Sequence, residues 1–552
     1  MNPMVNNWTY GETSAKLGGR FDLPVYTQGC ELLRNFRPML QGGITRRSPL
    51  VHIAETEESR LIDFSLGGTQ SFLIQLAPYK VYIWQYDTAG VHRLSFLVNG
   101  QSQDHLVSPY GPSDIWEVQY AQYYDRLYLV HRSYPQQVLY YSSGAFSLEQ
   151  FTLQVDMNES LGRQVDSYPS VVAVCANRLW YAATNARPFT VWASRPYQDG
   201  ASHSDFTTYD VVLTETEVLK DPSLWPTKTD DDGQEVFDLS DPQQLITTSE
   251  ETNEIITASC AMKLELASGR NDRIVWIRSM RNILIGTEAS EWMVPFDIDP
   301  TKQAASMLSS YGSEPLQAVS MHNGVFYLQR GRRLRENLFE GDASDSVDLS
   351  FTCDHLLGQG VRQMVAKRSG DPMIACVLTD GTLAVLTYDR RYAMQGWARW
   401  DTQGQVLSLS TLECPEGQHL YAVVKRAGST YLERFDFDEP LLFCDRAHAV
   451  DDGDLPYASV MVGNRFDIAS DSGTTIGRSK KVREVWVRCL DSGRVATGVE
   501  SKSIQRSLKA VGSEDHRINI AGGAKKEIRL RIESVESDPL TLLAMTFDME
   551  VN

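Results

Sequence analysis

The chain has no Cys-x-x-Cys pair: its eight cysteines (Cys30, Cys175, Cys260, Cys353, Cys376, Cys414, Cys444 and Cys489) are scattered through 552 residues. This excludes a disulfide framework and reads as buried thiols of a protein made in a reducing cytoplasm. Long apolar runs are missing as well. Stretches such as Val171–Ala176 and Met373–Leu378 fall far short of the roughly 20 residues that cross a bilayer. The polar start, Met1–Asn7, has no apolar centre for an export signal. Positive charge is scarce, with 52 Lys and Arg against 71 Asp and Glu and a net charge of −19. That balance excludes a protein that coats nucleic acid, but not one that surrounds DNA without gripping it.

The usual catalytic spacings are absent too: no phosphate loop, no Gly-x-Ser-x-Gly elbow and no His-Glu-x-x-His zinc helix. The ten histidines are isolated, and Cys353-Asp354-His355 lacks the further ligand that zinc requires. In Asp451-Asp452-Gly453-Asp454 the acids are nearly consecutive, whereas a calcium loop spaces its ligands at alternate positions. No metal and no cofactor is expected. Carboxylates are plentiful, but a glycosidase needs two of them across a cleft with one held protonated, a geometry that sequence does not carry.

What the chain does have is short apolar runs separated by tight turns. Met373–Leu378, Thr379-Asp380-Gly381-Thr382 and Leu383–Tyr388 read as a hairpin, the Asp-Gly step able to supply the positive φ of a type I′ turn. Asn323-Gly324 and Asn99-Gly100 mark two more. Further strands are expected at Val81–Tyr86, Arg126–Val130, Leu179–Ala183, Ile274–Arg278, Ile283–Gly286 and Tyr421–Lys425. Helical patterns are rare; Ser240-Asp241-Pro242 looks like a cap followed by proline, predicting one short helix over Gln243–Ser249. So many hairpin-spaced strands over about 400 residues predict a mainly β chain with a β-propeller-like core, without a Trp-Asp or Kelch signature.

Two segments break the charge balance. Asp210–Glu254 holds thirteen acidic residues and two lysines, including Asp230, Asp231 and Asp232, and reads as an inserted loop. Arg478–Arg531 reverses the sign, with fourteen Lys and Arg against six Asp and Glu. There Val482–Arg488 and Ile528–Ile532 alternate as strands with one wet face. The division expected is an extended docking segment over 1–50, a propeller-like core over 51–455 with its acidic insertion at about 210–254, and a small β domain over 456–552. The sharpest basic cluster, Arg330, Arg332, Arg333 and Arg335, suits a partner's acidic surface or DNA phosphate, and equally a hairpin tip whose arginines pair with nearby acids.

The opening carries a longer pattern: Ser14-x-x-Leu17-Gly18-Gly19-Arg20-Phe21-Asp22-Leu23-Pro24, then Asn35-Phe36-Arg37-Pro38 and Gln41-Gly42-Gly43-Ile44-Thr45-Arg46-Arg47-Ser48-Pro49. Tyr120–His131, Asn177–Trp180, Arg187–Pro196, Leu284–Trp292, Gln329–Glu336 and Trp397–Trp400 follow in order. Together, over about residues 14 to 400, these blocks resemble the tail nozzle (tail tubular protein B-like) family of short-tailed bacteriophages. Ser48-Pro49 departs from the family's more usual Pro-Gly. The resemblance implies a non-enzymatic virion protein made in the host bacterial cytoplasm. It would be a homohexameric ring beneath a head–tail adaptor ring, meeting tail fibres or needle proteins, through which duplex DNA passes without sequence-specific binding. A fibre-attachment protein and a propeller-type glycan-degrading enzyme of the virion are the alternatives. Arg20, Asp22, Asn35, Phe36, Arg46 and Arg47 are then the assembly-interface candidates, with Gly42-Gly43 giving a bend that presents Arg46-Arg47 to a neighbour. Asp230–Asp232 is the candidate for an acidic lumen or a solvated loop.

Overall fold

Short apolar runs bounded by turns pair with their sequence neighbours, and here they do so in sheets of four. The computed structural model of the chain describes residues 4–551 except 68–69, 88–89, 99–100, 198–202, 267–268, 270–271, 303–304, 341–342, 438–441, 446–453, 468, 471–472, 500–503, 508–509 and 522. The expected turn at Asn99-Gly100 and most of the Asp451–Asp454 run lie outside the described residues. Six antiparallel sheets follow one another along the chain: blade 1 spans 60–93, blade 2 119–150, blade 3 171–265, blade 4 274–309, blade 5 319–348 and blade 6 361–400. Blade 7 takes three strands from 405–435 and its fourth, Leu50–Thr56, from the N-terminal side. Leu50 lies opposite Phe435, so backbone hydrogen bonds between the two ends of the core close the ring.

The core lies between the blades. Ile62, Phe72 and Ile83 of blade 1 pack on Leu127, Leu129 and Leu139 of blade 2. Equivalent apolar layers join blades 2 and 3, 3 and 4, 4 and 5, and 5 and 6, and a further layer brings blade 7 back against blade 1. Strands covered on both faces need no polar alternation, which is why Ser71–Ala77, Met373–Leu378 and Leu383–Asp389 are buried at every position. The chain is therefore a β-propeller, and its described residues form seven blades.

The contact between blades 6 and 7 extends into the remaining sheets through Trp400, Phe435, Met461, Val485, Leu530 and Phe547. The strand Gly29–Arg34 runs antiparallel to Val460–Gly463, and Gly11 pairs with Trp397 at the edge of blade 6. Phe36–Pro38, Ile44–Arg46 and Met4–Val5 join a second sheet built on Lys480–Leu490 and Thr541–Val551. The first fifty residues thus run through both sheets of the C-terminal region. Within them Gly42, at φ +95°, makes the expected bend, with Met39 and Gly43 paired across it.

The hairpin at Asp380-Gly381 forms, but only Gly381 has positive φ, so the turn is not type I′, which needs it at both central residues. At the next hairpin the turn residues are His322 and Asn323, with Gly324 already in the strand opposite Met321. The acidic insertion departs most from expectation. It leaves blade 3 between that blade's third and fourth strands, and Asp210–Leu219 pairs with Ile246–Ile255 along ten residues each. It is a two-stranded arm, not an irregular loop. Asp241 does cap Pro242–Leu245, accepting from the Gln243 amide, but that is a single 3₁₀ turn. The predicted helix over Gln243–Ser249 is absent because the β-branched run from Ile246 enters the ladder instead.

Candidate functional site: the channel mouth, the seam and the arm

Each blade begins with a strand next to the central axis, and the residues at the starts of these strands converge on one mouth of the channel. A cavity of about 530 Å³ opens there, lined among others by Glu117, His131, Arg132, Arg273, Arg332 and Arg362. Its floor is crossed by side chains. Gln119 of blade 2 donates to the Val275 carbonyl of blade 4 at 2.6 Å, and Gln317, entering blade 5, donates to the Tyr120 carbonyl of blade 2 at 2.8 Å. Asp63, on the first strand of blade 1, is solvent-exposed, yet the protein atoms around it raise its carboxyl above the usual range, with Arg278 and Arg368 opposing that effect.

Electrostatics at the mouth are unusual for so acidic a chain. Arg60 is buried and donates to the carbonyls of Ile115, Trp116 and Val118, which tie blade 1 to the approach to blade 2. Arg132 pairs with Glu117 at 2.8 Å. Among the described residues Arg273 reaches neutral acceptors: Ser170 Oγ at 3.1 Å, the Ala183 carbonyl at 3.2 Å and Asn185 Oδ1 at 3.4 Å. Arg362 lies 5.2 Å over the Trp116 ring. His131 is buried, which pushes its imidazole below the ordinary value despite nearby Asp114 and Glu117. Its Nδ1 accepts from the Ser133 amide at 3.2 Å.

Of the expected basic cluster, Arg332 lines this mouth. Arg330, Arg332 and Arg333 sit at the tip of a blade 5 hairpin, where Gly331 and Arg332 both have positive φ. Arg332 donates to the Gly358 carbonyl, and Arg330 to that of Glu288 at 3.3 Å. Arg333 pairs with Asp348 at 2.5 Å. Arg335 is buried beneath the tip, 3.4 Å from the Tyr311 ring and bonded to Gln329. Arg273 and Arg362 had no local signal; each stands at the start of a blade's inner strand, a position visible only once the blades are phased.

The assembly candidates of the opening segment divide in two. Arg20 and Asp22 are exposed and paired with each other at 2.8 Å. Asn35, Phe36, Arg46 and Arg47 are all buried. The expectation that Arg46 and Arg47 are presented to a neighbour is corrected: each is 1% exposed, and their donors are taken up within the chain. Arg46 donates to the carbonyls of Tyr457 (2.8 Å) and Asp538 (2.6 Å) and to Ser459, and its charge lies over the Phe443 and Tyr457 rings. Arg47 makes a two-pronged pair with Asp445, at 2.9 and 2.7 Å, and also donates to Asn35 and the Asp401 carbonyl. Burial pushes the Asp445 carboxyl up, but Arg47 more than offsets this and holds it below the usual range. These residues are the seam between propeller and C-terminal sheets. Glu12 belongs to it too, buried and bonded to His355, Arg399 and the Leu33 amide.

Asp230, Asp231 and Asp232 lie at the far end of the arm, in the turn of a small hairpin (Thr227–Thr229 with Glu235–Phe237) that is exposed throughout. The Asp230 carboxylate accepts from the Asp232 and Gln234 amides and shapes the turn, while all three aspartates remain exposed. At the base, Asp210 pairs with Arg195 at 2.8 Å. Among the described residues no group of three His, Cys, Asp or Glu side chains is placed to hold a metal ion.

No protein-family model matches the chain, and no curated protein matches it. Solved structures similar to it include the WD40 repeats of RRP9, at 9% identity over 71% of this chain and 100% of that one, with a TM-score of 0.38. The β-propeller domain of Cps50 (Swd1) from Myceliophteria thermophila matches at 9% identity over 70% of this chain and 99% of that one, with a TM-score of 0.37. The WD40 domain of Pan2 from Neurospora crassa matches at 8% identity over 70% and 89%, with a TM-score of 0.34. Such likeness carries nothing about activity or partners; the propeller is read from its own sheets.

Proposed function

We propose that this chain is a non-enzymatic ring subunit of a virion: the nozzle that closes the distal end of a short phage tail beneath its adaptor ring. The observation that carries the reading is the ordered set of sequence blocks between residues 14 and 400 that resembles the nozzle family. The geometry adds where a conduit can run. The propeller's own channel is bridged by Gln119 and Gln317, so it does not admit a duplex whose major groove alone is about 12 Å wide. On this reading DNA passes between copies, along a shared axis, and each propeller serves as wall.

A net charge of −19 suits that role, because every phosphate contact in a conduit would need counterion exchange and slow transit. Part of the charge of the basic C-terminal region is answered within the chain, where Arg488 pairs with Asp515, Arg494 with Asp538 and Arg517 with Glu484. Electron cryo-microscopy of the virions that carry this chain tests the reading. Copies ringed on the distal tail axis around an open lumen support it; a chain off the axis, or missing from the particles, rejects it.

A further inference from the structure

At the seam Arg47 has its charge answered by Asp445, and Arg46 has its donors taken by buried carbonyls and Ser459. At the channel mouth Arg132 pairs with Glu117, but three further arginines there are left without a carboxylate. Among the described residues, Arg273, Arg332 and Arg362 line the cavity and none forms an ion pair with a carboxylate; their partners are neutral oxygens and the Trp116 ring. Two further polar atoms of the lining are buried and lack a hydrogen-bond partner. One is Nε2 of His131, a residue 3% exposed whose Nδ1 already accepts from Ser133, which leaves Nε2 as the donor. Its nearest carboxylate, Glu117, is 3.6 Å away. The other is Oε1 of Gln317, an acceptor. At about 530 Å³ the cavity falls within the usual range of ligand pockets, roughly 300–1,000 Å³.

Unanswered guanidinium forks beside an imidazole donor recognise carboxylate or phosphate oxygens. Glu117, Glu288 and Glu314 also line the cavity, and they decide between the two. A nucleic acid continues its charge along the whole strand on both sides of the cavity and would be repelled by them, whereas a peptide turn confines its carboxylates to one short tip that the arginines can surround. The chain itself displays such a peptide. Its arm holds thirteen acidic residues against two lysines, and its ten-residue ladder, at about 3.3 Å per residue, carries the Asp230–Asp232 turn roughly 33 Å from blade 3.

We propose that the channel mouth is a carboxylate-binding site whose occupant is the Asp230–Asp232 tip of the arm of a second copy of this chain. Arg332 and Arg362 grip Asp231 and Asp232, and the apolar flanks of the tip, Phe237 (49% exposed) and Leu224 (69% exposed), are covered in the same contact. The contact is head-to-tail, so it propagates from copy to copy and closes when the rotation between copies permits a ring. It stands or falls without the conduit reading, since any ring of this chain would use it.

Sedimentation velocity of the full chain tests the proposal. Wild type self-associates. Arg332→Glu/Arg362→Glu and, separately, Asp231→Lys/Asp232→Lys each weaken association by at least about tenfold, and the chain carrying all four substitutions recovers it. Circular dichroism and thermal melting of each variant establish that it is folded. A monomeric wild type, a folded charge variant that associates like wild type, or a four-fold variant that stays dissociated overturns the proposal. A short DNA oligonucleotide is the control probe. If it binds wild type and not the Arg332→Glu/Arg362→Glu variant, the site is a phosphate site and the peptide assignment fails.

Discussion

Two groups of arginines in one chain show what burial does to the same side chain. At the seam, Arg46 and Arg47 are adjacent in sequence, and their partners come from far along the chain, at Asp445, Tyr457 and Asp538, sequence separations of 398, 411 and 492. At the mouth, Arg273, Arg332 and Arg362 come from three different blades and meet no carboxylate. The first group is structural, because a guanidinium taken from water must have every donor satisfied. The second stays at an open cavity and keeps its charge available, at little cost to the fold. Two neighbouring arginines in a sequence therefore say little until the residues that surround them are known.

That contrast breaks first at Arg47. Arg47→Ala leaves Asp445 buried without its partner and is expected to cost about 3–5 kcal/mol, read as a large fall in the thermal unfolding midpoint. Arg46→Ala removes donors from buried carbonyls but strands no carboxylate, and is expected to cost less, about 1–3 kcal/mol by the same measurement. Mutants in the mouth should behave differently. Arg332→Ala and Arg362→Ala are expected to leave stability within about 0.5 kcal/mol of wild type while weakening self-association. A seam-sized loss at either position would erase the distinction.

A subtler test uses two buried carboxyls whose settings differ. Glu12 has Arg399 and His355 beside it, and although burial pushes its carboxyl up, these partners hold it below the usual range. Its contribution is present above the unfolded value, about 4.3, and is lost as pH falls through the folded one. Glu336 is buried, with the Tyr388 hydroxyl donating to it, and burial raises its carboxyl. Its contribution is complete below the unfolded value and is lost as pH rises through the folded one. Glu336→Gln should therefore match wild type near pH 4, gain on it as pH rises through the folded value, and hold a constant advantage above it. Melting curves that stay parallel across that range would contradict the assignment.

Much of the fold could be read in the sequence because hairpins are local. The strands around Asp380-Gly381 are where alternation, apolar runs and turn residues put them, and the strand at Val482–Arg488 lies within Lys480–Leu490. The blade count was hidden for two physical reasons. The arm interrupts blade 3 before its last strand, and blade 7 draws its outer strand from the opposite end of the core. The site was legible only in part. Arg330–Arg335 is a local run and was visible as such, but Arg273 and Arg362 join it through ring closure, which no spacing in the sequence encodes. The arm's acids were visible while its ladder was not, since its Thr- and Glu-rich strands carry no apolar period.

The central claim is that these propellers form walls and that the opening lies between copies. Electron cryo-microscopy of the purified, assembled chain tests it most directly. The account predicts a closed ring with an axial lumen between protomers, each propeller channel bridged by Gln119 and Gln317, and each arm tip seated in the next copy's mouth. Isolated monomers, or an assembly whose propeller channels are open along their length, would contradict it.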